Sequence, residues 1–123
     1  MSRRFDDLVP AAQEAYLQFE KGMAEAGIDF LLTCTTRSQQ EQDALWARGR
    51  TKPGKKVTWT RHSRHLSGEA FDIVIMEAGK PCWDVRNKKW KQAGVIGRAA
   101  GLVWGGDWKH KDYAHFELPR EVV

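Results

Sequence analysis

The chain lacks any apolar run approaching the roughly 18 residues that a membrane-spanning helix requires, which excludes a transmembrane helix. Its first residues, Met1 to Asp7, turn from basic to acidic with no hydrophobic region behind them. Despite the Arg3-Arg4 pair, they therefore read as no secretory or twin-arginine signal, and a cytoplasmic protein is expected. Cysteine is scarce. Cys34 and Cys82 have no partners at zinc-finger spacing, and two cysteines in a chain without an export signal are expected to stay as thiols. Repeats, low-complexity segments and linkers are also missing. A length of 123 residues suffices for one real core but not for a catalytic domain plus a sizeable second one. One domain over 1–123 is the expectation. What is plentiful is positive charge: a net +4 and a pI near 9.2 point to an anionic partner. No nucleic-acid recognition motif accompanies that charge, so nucleic acid is not the expected partner.

Periodicity lays out the elements. Asp7 to Ala26 reads as an amphipathic helix, with Pro10 in its first turn and Gly27 as its stop. Its apolar positions Ala12, Ala15, Tyr16, Phe19, Met23 and Ala26 recur at three- and four-residue intervals. Phe30 to Thr35, apolar and β-branched, reads as a strand. Ser38 with Glu41 forms a capping box for a second helix ending near Gly49. Arg50 to Arg64 is basic and irregular, a loop reaching towards the functional site. Ala70 to Met76 is the clearest strand, with Phe71, Ile73 and Ile75 on one face and Ala70, Val74 and Met76 on the other. A third helix is expected around Lys89 to Ala100, with Trp90, Val95, Ile96 and Ala99 inward. Ala114 to Leu118 reads as a last strand carrying His115 and Glu117 on one face and Phe116 on the other. The sum is an α+β fold, a small, mainly antiparallel sheet with packed helices.

Asp72 shares its strand face with apolar side chains only, and a lone aspartate there is costly unless paired or bound to a cation. His65 and His115 are two of the four histidines in the chain and the two we pair with it. Two imidazoles and a carboxylate offer a borderline-soft divalent metal three ligands and leave one position open, the pattern of catalytic rather than structural zinc. One Zn2+ per chain on His65, Asp72 and His115 is the expectation. Asp112, three positions before His115, is the spare carboxylate, suited to act as general base on water activated by the metal.

The framing of these residues resembles the zinc peptidases that cut bacterial cell-wall peptides, a group including D-alanyl-D-alanine carboxypeptidases and dipeptidases. Within it the chain looks most like phage endolysins of the L-alanyl-D-glutamate peptidase type. The family's S-x-H-x-x-G-x-A-x-D pattern is met at Ser63, His65, Gly68, Ala70 and Asp72, and its D-x-x-H-F pattern at Asp112, His115 and Phe116. A third block, Thr36 to Gly54, matches these endolysins at many positions, although Thr36 stands where they often carry tyrosine. The resemblance runs from about Phe30 to Leu118. It implies a hedgehog/D-Ala-D-Ala-peptidase-like fold and hydrolysis of the L-alanyl-D-glutamate bond in the peptidoglycan stem peptide. The enzyme would be a monomer without membrane insertion or a separate wall-binding domain, reaching the wall after release.

The resemblance also implies that Arg37 lies near the substrate, where its permanently charged donor fork can stabilise a developing oxyanion. Other positions carry two readings each. Gln42 either binds substrate backbone or is an exposed helix glutamine. Ser63 bonds a ligand or the substrate, or only stabilises its turn. Trp104 and Trp108 line a substrate groove or belong to the core. His62 and His110, though close to the ligands in sequence, are not needed by a three-ligand site. The basic residues Arg50, Lys52, Lys55, Lys56, Arg61 and Arg64 either meet wall carboxylates or form a solvated charge run. Two rival functions stand beside the endopeptidase. One is a D,D-carboxypeptidase or dipeptidase with the same chemistry, and the other is a non-catalytic zinc-containing wall-binding module, which has no use for Asp112.

Overall fold

The protein, seen in a computed structural model, is described here for residues 1–120. Helix α1 (Pro10–Glu25) starts where proline sets the backbone of the first turn, and it buries Ala12, Ala15, Tyr16, Phe19 and Met23. The expected start at Asp7 is instead a separate 3-10 turn, Phe5–Asp7. Ala26, expected inside, is the exposed residue that caps the helix. Helix α2 (Gln39–Ala47) has the capping box: Ser38 accepts from the Glu41 amide, and the Glu41 carboxylate accepts from the Ser38 amide.

Five strands form one sheet: β1 (Phe30–Cys34), β2 (Ala70–Glu77), β3 (Lys80–Cys82), β4 (Val103–Trp104) and β5 (His115–Glu117). Their order is β1-β2-β5-β4, with β3 also pairing β2, and every pairing is antiparallel. Phe71, Phe116 and Trp104 stand in register across β2, β5 and β4. With Ile73 and Ile75 they form the inner face, which packs on Phe19 of α1 and on Trp90 of helix α3 (Lys88–Ala99). Phe19 reaches Phe116 with ring centroids 4.8 Å apart.

The other face carries a different row. Cys34, Asp72 and His115 are direct neighbours across β1, β2 and β5. Cys34 reaches that face through a β-bulge. Leu32 pairs with Ile73 but Cys34 pairs with Asp72, so β1 spends one more residue than β2 there and turns its side chain over.

Helix α3 corrects the expected inward set. Trp90 is fully buried, but Val95 is 57% exposed and Ala99 is also exposed. The helix instead turns Ala93, Gly94 and Gly97 to the sheet. The reason is space, because Trp104 and Phe116 fill the gap from the other side. A Cβ on Gly94 would lie 2.3 Å from Trp104 and one on Gly97 would lie 2.4 Å from Phe116. Gly97→Ala is therefore expected to lower stability by roughly 1–3 kcal/mol through overpacking, seen as a lower midpoint of denaturant unfolding. An unchanged midpoint would mean that Phe116 gives way freely.

Candidate metal centre

The residues of the outer face converge on Asp72. Ser63 accepts a bond from the His65 amide at 3.2 Å and so caps the 3-10 turn Arg64–Ser67, which presents His65 to the sheet. His65 is 1% exposed; its Nε2 lies 3.0 Å from Asp72 Oδ1, and its Nδ1 lies 3.2 Å from the Thr35 carbonyl. His115 arrives by strand register, with Nδ1 3.2 Å from the same Asp72 Oδ1 and Nε2 2.8 Å from Glu117 Oε1. The two rings meet edge to face at 5.0 Å. Each imidazole thus has its outer nitrogen anchored on an acceptor and its inner nitrogen directed at one carboxylate oxygen. Anchoring of that kind is how proteins orient histidines that ligate metals.

Asp112 joins from the loop before β5. Its amide bonds the Gly105 carbonyl at 2.9 Å, and a Cβ at Gly105 would come within 2.3 Å of the Asp112 carbonyl, so only glycine permits this approach. Ligand atoms of Asp72, Asp112 and His115 lie within 4.8 Å of one another, as do those of Cys34, His65 and Asp72. Asp72 is common to both groups. The Cys34 thiol sits 3.7 Å from His65 Nδ1, the nitrogen already turned to Thr35, and so lies behind the imidazole rather than between the ligands. Nitrogen and oxygen donors on the inner side, anchored from outside, suit zinc in the His/carboxylate pattern of catalytic sites.

The electrostatics follow from these contacts. Burial alone would drive His65 down, but its hydrogen bonds to Asp72 and Cys34 outweigh that and lift it to about 10. His115, opposed by burial in the same way, is lifted to about 8 by Asp72 and Glu117. Burial would raise Asp72, yet the two histidines hold it well below the usual carboxylate range. Asp112 is exposed as a residue, while its carboxyl is hemmed in by the site. That desolvation, followed by the charge of Asp72, pushes its pKa up.

A pH dependence follows for the metal-free protein. Both histidines lie above their unfolded values, so their pairing adds stability that is complete below about pH 6.5. It is lost as pH rises through about 8 for His115 and about 10 for His65. Asp72 works in the opposite sense, its share being lost only as pH falls below the ordinary carboxylate range. Thermal melting in chelator should therefore show Tm falling from neutral pH towards pH 10. A flat Tm over that range would mean that these pairs contribute nothing.

Arg37 enters from the end of β1. Its Nη2 lies 3.8 Å from Asp72 Oδ2, and its Nη1 donates to Gln42 Oε1 at 2.7 Å. Gln42 departs from the expected direct contact with substrate. It has no exposed surface, and its amide nitrogen donates to the Thr60 carbonyl at 2.7 Å, so it ties Arg37 to the basic loop. Ser63 likewise spends its hydroxyl on the turn. Trp104 is a core residue, 5% exposed, with its indole N–H on the Tyr113 carbonyl. Trp108 is the tryptophan that borders the site, 36% exposed with its ring 5.0 Å from that of His115. His62 is exposed, and His110 stacks on Trp59. Glu117, Thr35 and the inward role of Gln42 went unassigned in the sequence. Only for Glu117 was there a signal, its place two residues after His115 on the same strand face.

The chain is similar to known proteins. A family model described as D-alanyl-D-alanine carboxypeptidase matches residues 56–118, which include His65, Asp72, Asp112 and His115. The chain is 37% identical to the peptidoglycan L-alanyl-D-glutamate endopeptidase CwlK of Bacillus subtilis, over 91% of this chain and 74% of that protein. The L-Ala D-Glu endopeptidase ChiX of Serratia marcescens superposes with a TM-score of 0.73 at 27% identity, covering 94% of this chain and 83% of that one. The LD-carboxypeptidase LdcB shares the fold at a TM-score of 0.62 and 20% identity, over 90% of this chain and 65% of that one.

Proposed function

The chain belongs to the D-alanyl-D-alanine carboxypeptidase family of peptidases, and from that membership we propose that it is a zinc-dependent peptidoglycan endopeptidase cutting the L-alanyl-D-glutamate bond of the stem peptide. The observation that carries this reading is the convergence of His65 and His115 on one Asp72 oxygen with Asp112 beside them. The similarity to CwlK and ChiX, both named for that bond, supports the choice of substrate.

In this reading His65 Nε2, Asp72 and His115 Nδ1 would hold one zinc ion. Zinc there would supply a Lewis acid that polarises the scissile carbonyl and makes water a nucleophile near pH ~7. Asp112 takes the proton of the attacking water and hands it to the leaving amine. Its raised pKa brings it closer to the range in which a carboxyl can do both. Arg37, held by Gln42 and only 11% exposed at its side chain, keeps its charge beside the site and meets the developing negative charge on the carbonyl oxygen. Trp108 lines the approach. The described residues act as one catalytic domain and as a monomer, and a lytic, endolysin-type role reaching the wall from the cytoplasm belongs to the same reading.

Digestion of purified peptidoglycan, with zinc and with chelator, tests the bond by mass spectrometry of the fragments. New D-glutamate amino termini, lost on chelation and restored by zinc, are the expected result. Released D-alanine in their place would move the substrate to the carboxypeptidase rival, and no fragments from folded, zinc-loaded protein would point to a binding module.

A further inference from the structure

Between Asp43 and Glu69 the chain has no acidic residue but seven basic ones. Two of these are spent internally. Arg64 pairs with Glu69 at 2.7 Å, and Arg50 donates to the Trp46 and Thr58 carbonyls while its guanidinium lies 3.6 Å from the centre of the Trp46 ring. The remaining five, Arg48, Lys52, Lys55, Lys56 and Arg61, are exposed and form no ion pair among the described residues. Among them stands Trp59, 54% exposed. Its ring stacks on His110 at 4.0 Å and 16°, and Lys56 Nζ lies 5.6 Å from its centre.

Two links join this surface to the site. His110 lies two residues before Asp112, and Gln42 bonds both Arg37 and the Thr60 carbonyl beside Trp59. A half-exposed indole, one face covered by His110, among unpaired cations suits a ligand with a flat apolar face and repeated negative charges. Because the surface runs into the site, the ligand that spans both is the polymer that carries the cleaved bond. Resting on the endopeptidase reading, we propose that the 48–61 loop is a wall-binding surface. Trp59 takes a sugar ring of the glycan, and Lys55, Lys56 and Arg61 take carboxylates of neighbouring stem peptides. The enzyme would then favour polymeric wall over short soluble peptides, with a preference that weakens as salt screens the contacts.

The test compares the parent with a Lys55→Ser, Lys56→Ser, Arg61→Ser triple variant, and separately with Trp59→Ala. Each is measured for sedimentation with insoluble peptidoglycan and for turnover of a short soluble stem peptide. At about a factor of two for each exposed charge contact, the triple variant should bind wall roughly tenfold more weakly while its short-peptide turnover stays within about twofold of the parent. Trp59→Ala should lose wall binding that added salt does not mimic. Wall binding equal to the parent's in both variants would overturn the proposal. So would an equal loss of short-peptide turnover, or duplex DNA displacing the wall from the parent at physiological salt. If the parent itself cleaves no stem peptide, the endopeptidase reading fails, while the binding comparison still decides whether this surface exists.

Discussion

Asp112→Asn is expected to lower turnover by about 10²–10⁴-fold while zinc content and melting temperature stay close to the parent's. Asparagine keeps the size and shape of the side chain, and the backbone bond from residue 112 to the Gly105 carbonyl is untouched, so the loop has no reason to move. What disappears is the ability to accept a proton and return it. Asp112 is also the exposed member of its cluster, whereas His65 and His115 are buried and Asp72 is mostly so, so its loss leaves no unpaired group inside the protein. Single-turnover measurement with zinc quantified in the same sample separates chemistry from occupancy. Undiminished turnover would remove Asp112 from the mechanism.

Asp72→Ala should fail in a different way. Its Oδ1 is the one oxygen that both inner imidazole nitrogens face, at 3.0 and 3.2 Å. Removing an outer-shell partner of a metal ligand already costs about 10–100-fold in metal affinity, and losing a ligand itself should cost more. Activity at ordinary zinc concentrations should vanish along with the zinc. A second signature belongs to the metal-free protein. Asp72 heads the interactions that lift His65 and His115, so without it burial should pull both histidines down. The fall of Tm towards alkaline pH should then shrink or disappear. Zinc affinity equal to the parent's would contradict the assignment of Asp72, whatever happened to activity.

The parts of the fold that were legible in the sequence are those written in local pattern. The apolar stripe of α1, the Ser38–Glu41 box and the alternation in β2 each depend on residues within a few positions of one another. The same alternation placed Asp72 among apolar neighbours and His115 with Glu117 on one face, whereas His65 and Asp112 were named through the S-x-H-x-x-G-x-A-x-D and D-x-x-H-F patterns. The misread parts are those decided by distant partners. Val95 reads as a core residue until Trp104 and Phe116 are seen filling the space against Gly94 and Gly97. β3 and β4, of three and two residues, are too short to carry a period. The bulge that turns Cys34 towards Asp72 leaves no local mark in Leu32-Thr33-Cys34. Gln42 reads as a substrate contact or a surface helix residue because its partners, Arg37 and Thr60, approach only in the folded chain. Trp104, for which groove and core both stood open in the sequence, is claimed by the core for the same reason.

The most direct measurement is the position of zinc itself, from anomalous scattering at the zinc edge on crystals of the zinc-loaded protein. The expected result is a single strong peak within bonding distance of His65 Nε2, Asp72 and His115 Nδ1, with Asp112 beside it but not bound. A peak on Cys34 and the outer nitrogen of His65, or no peak in zinc-loaded crystals, would contradict the central claim that this face of the sheet is a catalytic metal centre.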